Sequence, residues 1–248
     1  MRVIFVTIGV LFVVFLCVLI TKFWGKSQIY TDYSHPFTAS APADLTFSRP
    51  GFATLQSDID SQKNLFLDVG ITRDQQLVIP KTEIKKPIRN LTYADIKDQV
   101  ILLSDVSEKL KPRRIIFNIL DSVIAVHEII FENFKNIGFE KGENFVVTSE
   151  FEQPVKALKD IAPSWIYGST RPEILKIVAM QSMYILEAAT IRADFIIQPL
   201  NIRNQKFFNE ELLQELKRRH KRIIVGPISQ QEVPEALLLH PFAIIVND

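Results

Sequence analysis

Few residues in this 248-residue chain have the type and spacing that chemistry demands. Its four histidines, His35, His127, His220 and His240, never stand at an H-x-x-x-H or similar metal-ligand spacing. Ser149 lacks a G-x-S-x-G elbow, so nothing around it would activate a hydroxyl nucleophile. Cys17, the lone cysteine, lies inside an apolar run, which removes it from soluble thiol chemistry and excludes an intrachain disulfide. There is no G-x-G-x-x-G and no Walker loop, so nucleotide-cofactor binding has no support. What remains is residues 64–81, NLFLDVGITRDQQLVIPK, where a carboxylate, Asp68, sits inside an apolar run and a cation, Lys81, follows a hairpin-like turn. Asp68 could contact a ligand, or it could cap a loop or pair with a nearby cation.

The elements that would position these residues begin with a span. Val3 to Thr21 is uncharged and almost wholly apolar. About twenty residues at 1.5 Å rise cross a hydrocarbon core of roughly 30 Å. The stretch is longer than a signal-peptide core and no A-x-A-like site directly follows it, which favours a retained anchor over residues 1–26. Phe23 and Trp24 stand where interfacial aromatics belong. A short N-terminal tail of this kind is expected in the cytoplasm, with the large domain outside it. Residues 27–47, rich in Ser, Thr, Pro and Ala, read as a linker and the loop leading into the folded domain.

From Leu65 onward, continuous apolar runs alternate with amphipathic ones. Residues 66–69, 114–120, 145–149, 164–168, 193–198, 222–226 and 242–247 read as parallel strands covered on both faces. Val123, Val126, Ile130, Phe134 and Ile137 form one helical face, and Phe208, Leu212, Leu213 and Leu216 another, with Asn209 as its N-cap. Repeated βα units predict a parallel sheet. With a strand near Leu45–Ser48 the total is about eight, which predicts a (β/α)8 TIM-type barrel over 48–248 behind one transmembrane helix. The net charge of +1, from 29 basic and 28 acidic residues, implies no long-range field and makes nucleic acid an unsuitable partner.

Residues 64–81 resemble the second barrel strand and hairpin of the glycerophosphodiester phosphodiesterase family, E-x-D-V-x-x-T-x-D-G-x-x-V-x-x-H-D. Asp68, Val69, Thr72 and Asp74 fall on that pattern. Weaker likenesses follow in order: residues 90–96 to the family's L-T-x-x-E-L, 115–120 to its E-I-K strand, 145–151 to V-x-x-S-S-F, 222–229 to the strand ending W-T-V-N, and 242–248 to the closing D-G-I-I-T-D. The resemblance implies a TIM barrel with a divalent cation, Mg²⁺ or Ca²⁺, held by carboxylates at the strand ends, and a histidine for proton transfer. Here the metal-binding glutamates fall on Phe66 and Asn118, the catalytic histidine on Pro80, and its neighbouring aspartate on Lys81. The family's first-strand His-Arg-Gly has no counterpart, and Ser48-Arg49-Pro50-Gly51 stands roughly where Glu-Asn-Thr belongs.

The resemblance thus implies a barrel whose catalytic and metal positions are replaced, leaving no assigned catalytic or metal residue and no cofactor. Asp68, Lys81, Asn118 and Arg49 are the candidate ligand contacts, for a phosphate-bearing or lipid-derived molecule at the barrel mouth; binding of a partner protein, as a scaffold, is the other form of this reading. Two other readings stay open: a divergent metal-dependent phosphodiesterase acting on glycerophosphodiesters or lysophospholipids, and a purely structural envelope protein with a filled mouth. Carboxylates clustered around Asp68 would favour the first, and a mouth plugged by Phe66 the second.

Overall fold

The computed structural model describes residues 2–28, 30, 34–39, 45–123, 125–202 and 205–247. The strands, in chain order, are β1 (Leu45–Arg49), β2 (Asn64–Ile71), β3 (Leu77–Pro80), β4 (Val100–Leu102), β5 (Ile115–Ile119), β6 (Phe145–Ser149), β7 (Ile166–Tyr167), β8 (Phe195–Gln198), β9 (Asn201–Ile202), β10 (Gln205–Lys206), β11 (Arg222–Ile228) and β12 (Ala243–Asn247). The helices are α1 (Arg2–Ser27), α2 (Pro36–Ala39), α3 (Leu55–Asp60), α4 (Tyr93–Ile96), α5 (Leu103–Leu110), α6 (Val126–Asn136), α7 (Glu152–Ile161), α8 (Arg171–Ser182), α9 (Glu210–Arg218) and α10 (Val233–Leu237).

Parallel pairing runs β7-β6-β5-β2-β1-β12-β11-β8. The two ends of that path meet through a parallel bridge between Gly168 and Phe195, with Ser169 N donating to Phe195 O at 2.9 Å and Asp194 N to Tyr167 O at 2.8 Å. The eight parallel strands predicted from the apolar runs therefore wrap into a TIM-like barrel. βα alternation is interrupted by β3–β4, antiparallel strands that extend β2 beyond its C-terminal end, and by the antiparallel β9–β10 pair between β8 and α9.

Alternation along the strands separates two cores. Outward residues such as Leu65, Leu67, Phe117, Phe145 and Val147 pack against the helices on one side of the barrel, and Ile196, Val225 and Ile244 on the other. Inward residues form a third cluster that includes Phe47, Phe66, Ile116, Val146, Phe195 and Ile245. Most of the predicted helical faces are used: Val126, Ile130 and Phe134 of α6 are buried, while Val123, ahead of that helix, is 41% exposed, and the Asn209 side chain accepts from Leu212 N at 2.9 Å at the start of α9.

Two features lie in the stretch read as linker and leading loop. Leu45 to Phe47 already belong to β1. Ahead of them, α2 closes the base of the barrel, where the strands begin. Its Phe37, 1% exposed, stacks on Phe47 at 6.5 Å and meets Phe195 at 5.9 Å and Phe242 at 6.0 Å. Arg114 Nε donates to Phe37 O at 3.1 Å, tying the plug to the start of β5.

The helix α1 contains the apolar stretch. Its side chains at Val10 to Phe15 are 54–63% exposed. Among the described residues no helix is long and apolar enough to cross a membrane. The Phe23 and Trp24 side chains lie outside the described set. The anchor thus stays a reading of the sequence. At its C-terminal end α1 packs on the base of the barrel: a Cβ on Gly25 would stand 2.5 Å from Glu187 O, so only glycine permits this approach.

Candidate functional site at the barrel mouth

The C-terminal ends of β1, β2 and β5 bring three of the four predicted contacts together. Pairing sets Asp68 beside Asn118, both pointing inward because Phe66 and Ile116, two residues earlier, do so. Arg49 is the last residue of β1. Its Nη2 lies 3.1 Å from Asp68 Oδ2, while Asn118 Nδ2 donates to Asp68 Oδ1 at 2.7 Å. The guanidinium carbon also sits 5.2 Å from the centre of the Phe66 ring, within cation–π reach. Each Asp68 oxygen therefore has a donor, one of them a permanent cation.

Beside this group opens a cavity of about 500 Å³. The segment following β3 walls it, contributing Lys85, Lys86 and Arg89, while Phe52 and Leu120 add apolar surface. Phe52 is 57% exposed and Leu120 41%. Arg89 Nη1 donates to Ser122 Oγ at 3.2 Å, linking this segment to the loop after β5.

Lys81, the fourth predicted contact, does not line this cavity, whereas its neighbours Pro80 and Thr82 do. Extended backbone sends successive side chains to opposite faces, and Lys81 N donates to Gln99 O at 2.8 Å, continuing the β3–β4 ladder. Besides Arg49, the cations that line the cavity come from E-I-K-K-P-I-R, 83–89, whose three cations in five residues were the overlooked signal.

Three other polar residues near the mouth have structural partners. Asp121 is buried and accepts from Ile71 N at 2.9 Å. Burial pushes its carboxyl above the ordinary range, against the pull of that hydrogen bond and of Arg89. Ser149 is 2% exposed. Its hydroxyl donates to Ile119 O at 2.7 Å and accepts from Phe151 N at 3.1 Å. Asp74 Oδ1 accepts from Tyr93 N at 2.9 Å, pinning the hairpin to α4. His35 lies at the opposite end, in the base plug. Its Nδ1 accepts from Phe37 N at 3.1 Å and its Nε2 faces Ser164 O at 3.1 Å; burial holds its pKa below the ordinary value. His220 and His240 end α9 and α10 in the left-handed region, with φ of 54° and 48°.

The divalent cation that the resemblance implies does not fit this mouth. A hard cation needs several oxygen ligands. Here Asp68 is paired with a guanidinium, Asn118 turns its amide nitrogen toward Asp68, and Phe66 offers no donor atom. Among the described residues no three His, Cys, Asp or Glu side chains stand together in a metal-binding group.

No protein-family model matches the sequence, and no curated protein is similar to it. Solved structures do match the fold. Glycerophosphodiester phosphodiesterase from Thermotoga maritima superposes with a TM-score of 0.58 at 15% identity, covering 82% of this chain and 94% of that one. An enzyme of the same name from Parabacteroides distasonis gives 0.58 at 14%, covering 82% and 93%. A phosphodiesterase from Oleispira antarctica, solved with the product sn-glycerol-3-phosphate, gives 0.60 at 11%, covering 83% and 93%. At these identities the likeness establishes the fold and not the chemistry: the chain has the TIM-type barrel of the glycerophosphodiester phosphodiesterases.

Proposed function

We propose that this chain is a membrane-anchored, catalytically degenerate barrel of the glycerophosphodiester phosphodiesterase type that binds a phosphate-bearing, lipid-derived ligand at its mouth. The observation carrying this reading is the Arg49–Asp68–Asn118 group. In a metal-dependent site the mouth carboxylates would face a cation. Here a guanidinium neutralises the one carboxylate of that group, so electrophilic activation of a phosphate by a metal has no ligand set. The cavity walled by Lys85, Lys86 and Arg89 supplies charge for a phosphate, and Phe52 and Leu120 supply apolar contact. Its volume beside Phe66 speaks against a filled, purely structural mouth. Val3 to Thr21 would anchor the chain, with its N-terminus in the cytoplasm and the barrel outside it.

The test uses the full chain in detergent, with glycerophosphocholine and lysophosphatidylcholine as substrates, with and without Mg²⁺ or Ca²⁺. No turnover is expected, while sn-glycerol-3-phosphate should bind and Arg49→Met should weaken that binding. Metal-dependent hydrolysis abolished by Asp68→Ala would overturn the degenerate reading and install the divergent phosphodiesterase in its place.

A further inference from the structure

A second cavity opens at the other end of the barrel. It measures about 300 Å³ and its lining includes His35, Lys159, Trp165, Asp194, Lys221 and Arg222. All come from places where the chain meets the base: the end of α7, the starts of β7, β8 and β11, and the approach to α2. Three cations face one carboxylate. Asp194 Oδ2 accepts from Tyr167 N at 3.0 Å and lies 3.4 Å from Lys159 Nζ. Lys159 also donates to Arg192 O at 2.8 Å. Lys221 Nζ is 3.9 Å from Asp194 Oδ1, beyond hydrogen-bond reach, and its side chain is only 18% exposed. Among the described residues it has no hydrogen-bond acceptor, so a desolvated ammonium opens into the cavity with one long ion contact. Burial lowers its pKa, only partly opposed by Asp194. Arg222 lies with its guanidinium carbon 5.4 Å from the Phe242 ring centre and has no carboxylate partner among the described residues. His35 adds no positive charge, since its Nδ1 serves as an acceptor. Arg219 also borders the cavity, but its nitrogens are held by Glu215 and by the carbonyls of Leu186, Glu187 and Ala189.

The end of α1 is docked on this same pole. Lys26 Nζ lies 3.7 Å from Glu187 Oε1, Arg218 Nη1 donates to Gln28 O at 3.0 Å, and the Tyr30 ring lies under Arg218 and Arg219 at 5.2 and 5.4 Å. We infer that the cavity at the base of the barrel holds the phosphate of an anionic phospholipid headgroup, with Lys221, Lys159 and Arg222 as its cationic contacts. The inference rests on the reading of α1 as a membrane anchor, which sets this pole, with its basic run 217–222, against the bilayer surface. Basic clusters next to a membrane span are attracted to anionic lipid, and a phosphate provides the acceptors that Lys221 lacks.

The experiment places the full chain in nanodiscs of phosphatidylcholine, or of phosphatidylcholine with about one-fifth phosphatidylglycerol. Amide hydrogen exchange is then followed at residues 219–224 and 34–39. Both discs should take up the chain. Exchange should slow about tenfold in the anionic discs alone, the factor expected when a ligand stands about ten times above its Kd. Lys221→Met should remove that protection and Lys221→Arg should retain it. Failure to enter either disc sinks the anchor and the inference with it. Entry with equal exchange in both discs overturns the headgroup site and leaves the anchor standing. Equal protection from inorganic phosphate added to neutral discs would make this a soluble-anion site and overturn the lipid assignment.

Discussion

The two poles of this barrel each hold a key aspartate among cations, and they balance charge in opposite ways. At the mouth, Asp68 meets one guanidinium and one amide, so the group is neutral and half open to water: Arg49 is 38% exposed and Asp68 31%. At the base, Asp194 is shared by two lysines while Arg222 has no carboxylate of its own among the described residues, and one of those lysines is largely desolvated. An exposed pair of the first kind contributes little to stability, because water and salt screen it. A buried excess of cations costs free energy unless something neutralises it. The mouth group is therefore removable and the base group is built into the fold.

The contrast can be broken, most forcefully at the base. Phe37→Ala would empty the aromatic plug and should lower unfolding free energy by about 3–5 kcal/mol, the usual cost of truncating a buried phenylalanine; chemical denaturation would measure it. Asp194→Asn keeps the shape but removes the counter-charge of Lys159 and Lys221, and should cost about 2 kcal/mol in the same assay. That loss should be greatest where Lys221 is charged and should shrink on the alkaline side. The folded-state pKa of Lys221 is already lowered, so the unfolded chain binds its proton more tightly and stability rises with pH between the lowered value and the ordinary one. A loss unchanged at alkaline pH would show that Asp194 acts only through Tyr167 N.

Mouth substitutions should do less. Arg49→Met or Asp68→Asn should change stability by under about 1 kcal/mol, and a larger loss from either would erase the difference between the poles. Asp121→Asn should have the smallest effect. Because burial raises the folded-state pKa of Asp121, the native chain loses some stability as pH rises from the unfolded-state value through that raised one. The amide variant keeps an acceptor for Ile71 N and should flatten that slope near acid pH, as thermal melts across the range would record.

Much of this was legible in the sequence because periodicity carries it. The apolar runs at 114–120, 145–149 and 242–247 became β5, β6 and β12 nearly residue for residue, since parallel strands buried on both faces need unbroken hydrophobic stretches. Asp68 beside Asn118 followed from two strands in register. What periodicity does not carry was missed. A cation beside Asp68 was foreseen and Arg49 was a candidate contact, but joining the two depends on where β1 ends, and a five-residue strand after a Ser/Pro-rich lead-in has no sharp boundary. The plug α2 is four residues long, too short for a helical pattern, and acts through one side chain. Lys81 and Lys85 differ only in which way a strand and its trailing loop turn them, which composition cannot express.

The docking of α1 on the base has a further consequence for supply. A tether at one pole aims the other pole at the water. With α1 in a bilayer, the mouth opens on the face farthest from the lipid, and a phospholipid still embedded in that bilayer could not reach Arg49 without leaving it. On that reading, whatever the mouth receives would arrive as a diffusing molecule already released from the membrane, a soluble lipid fragment rather than a lipid.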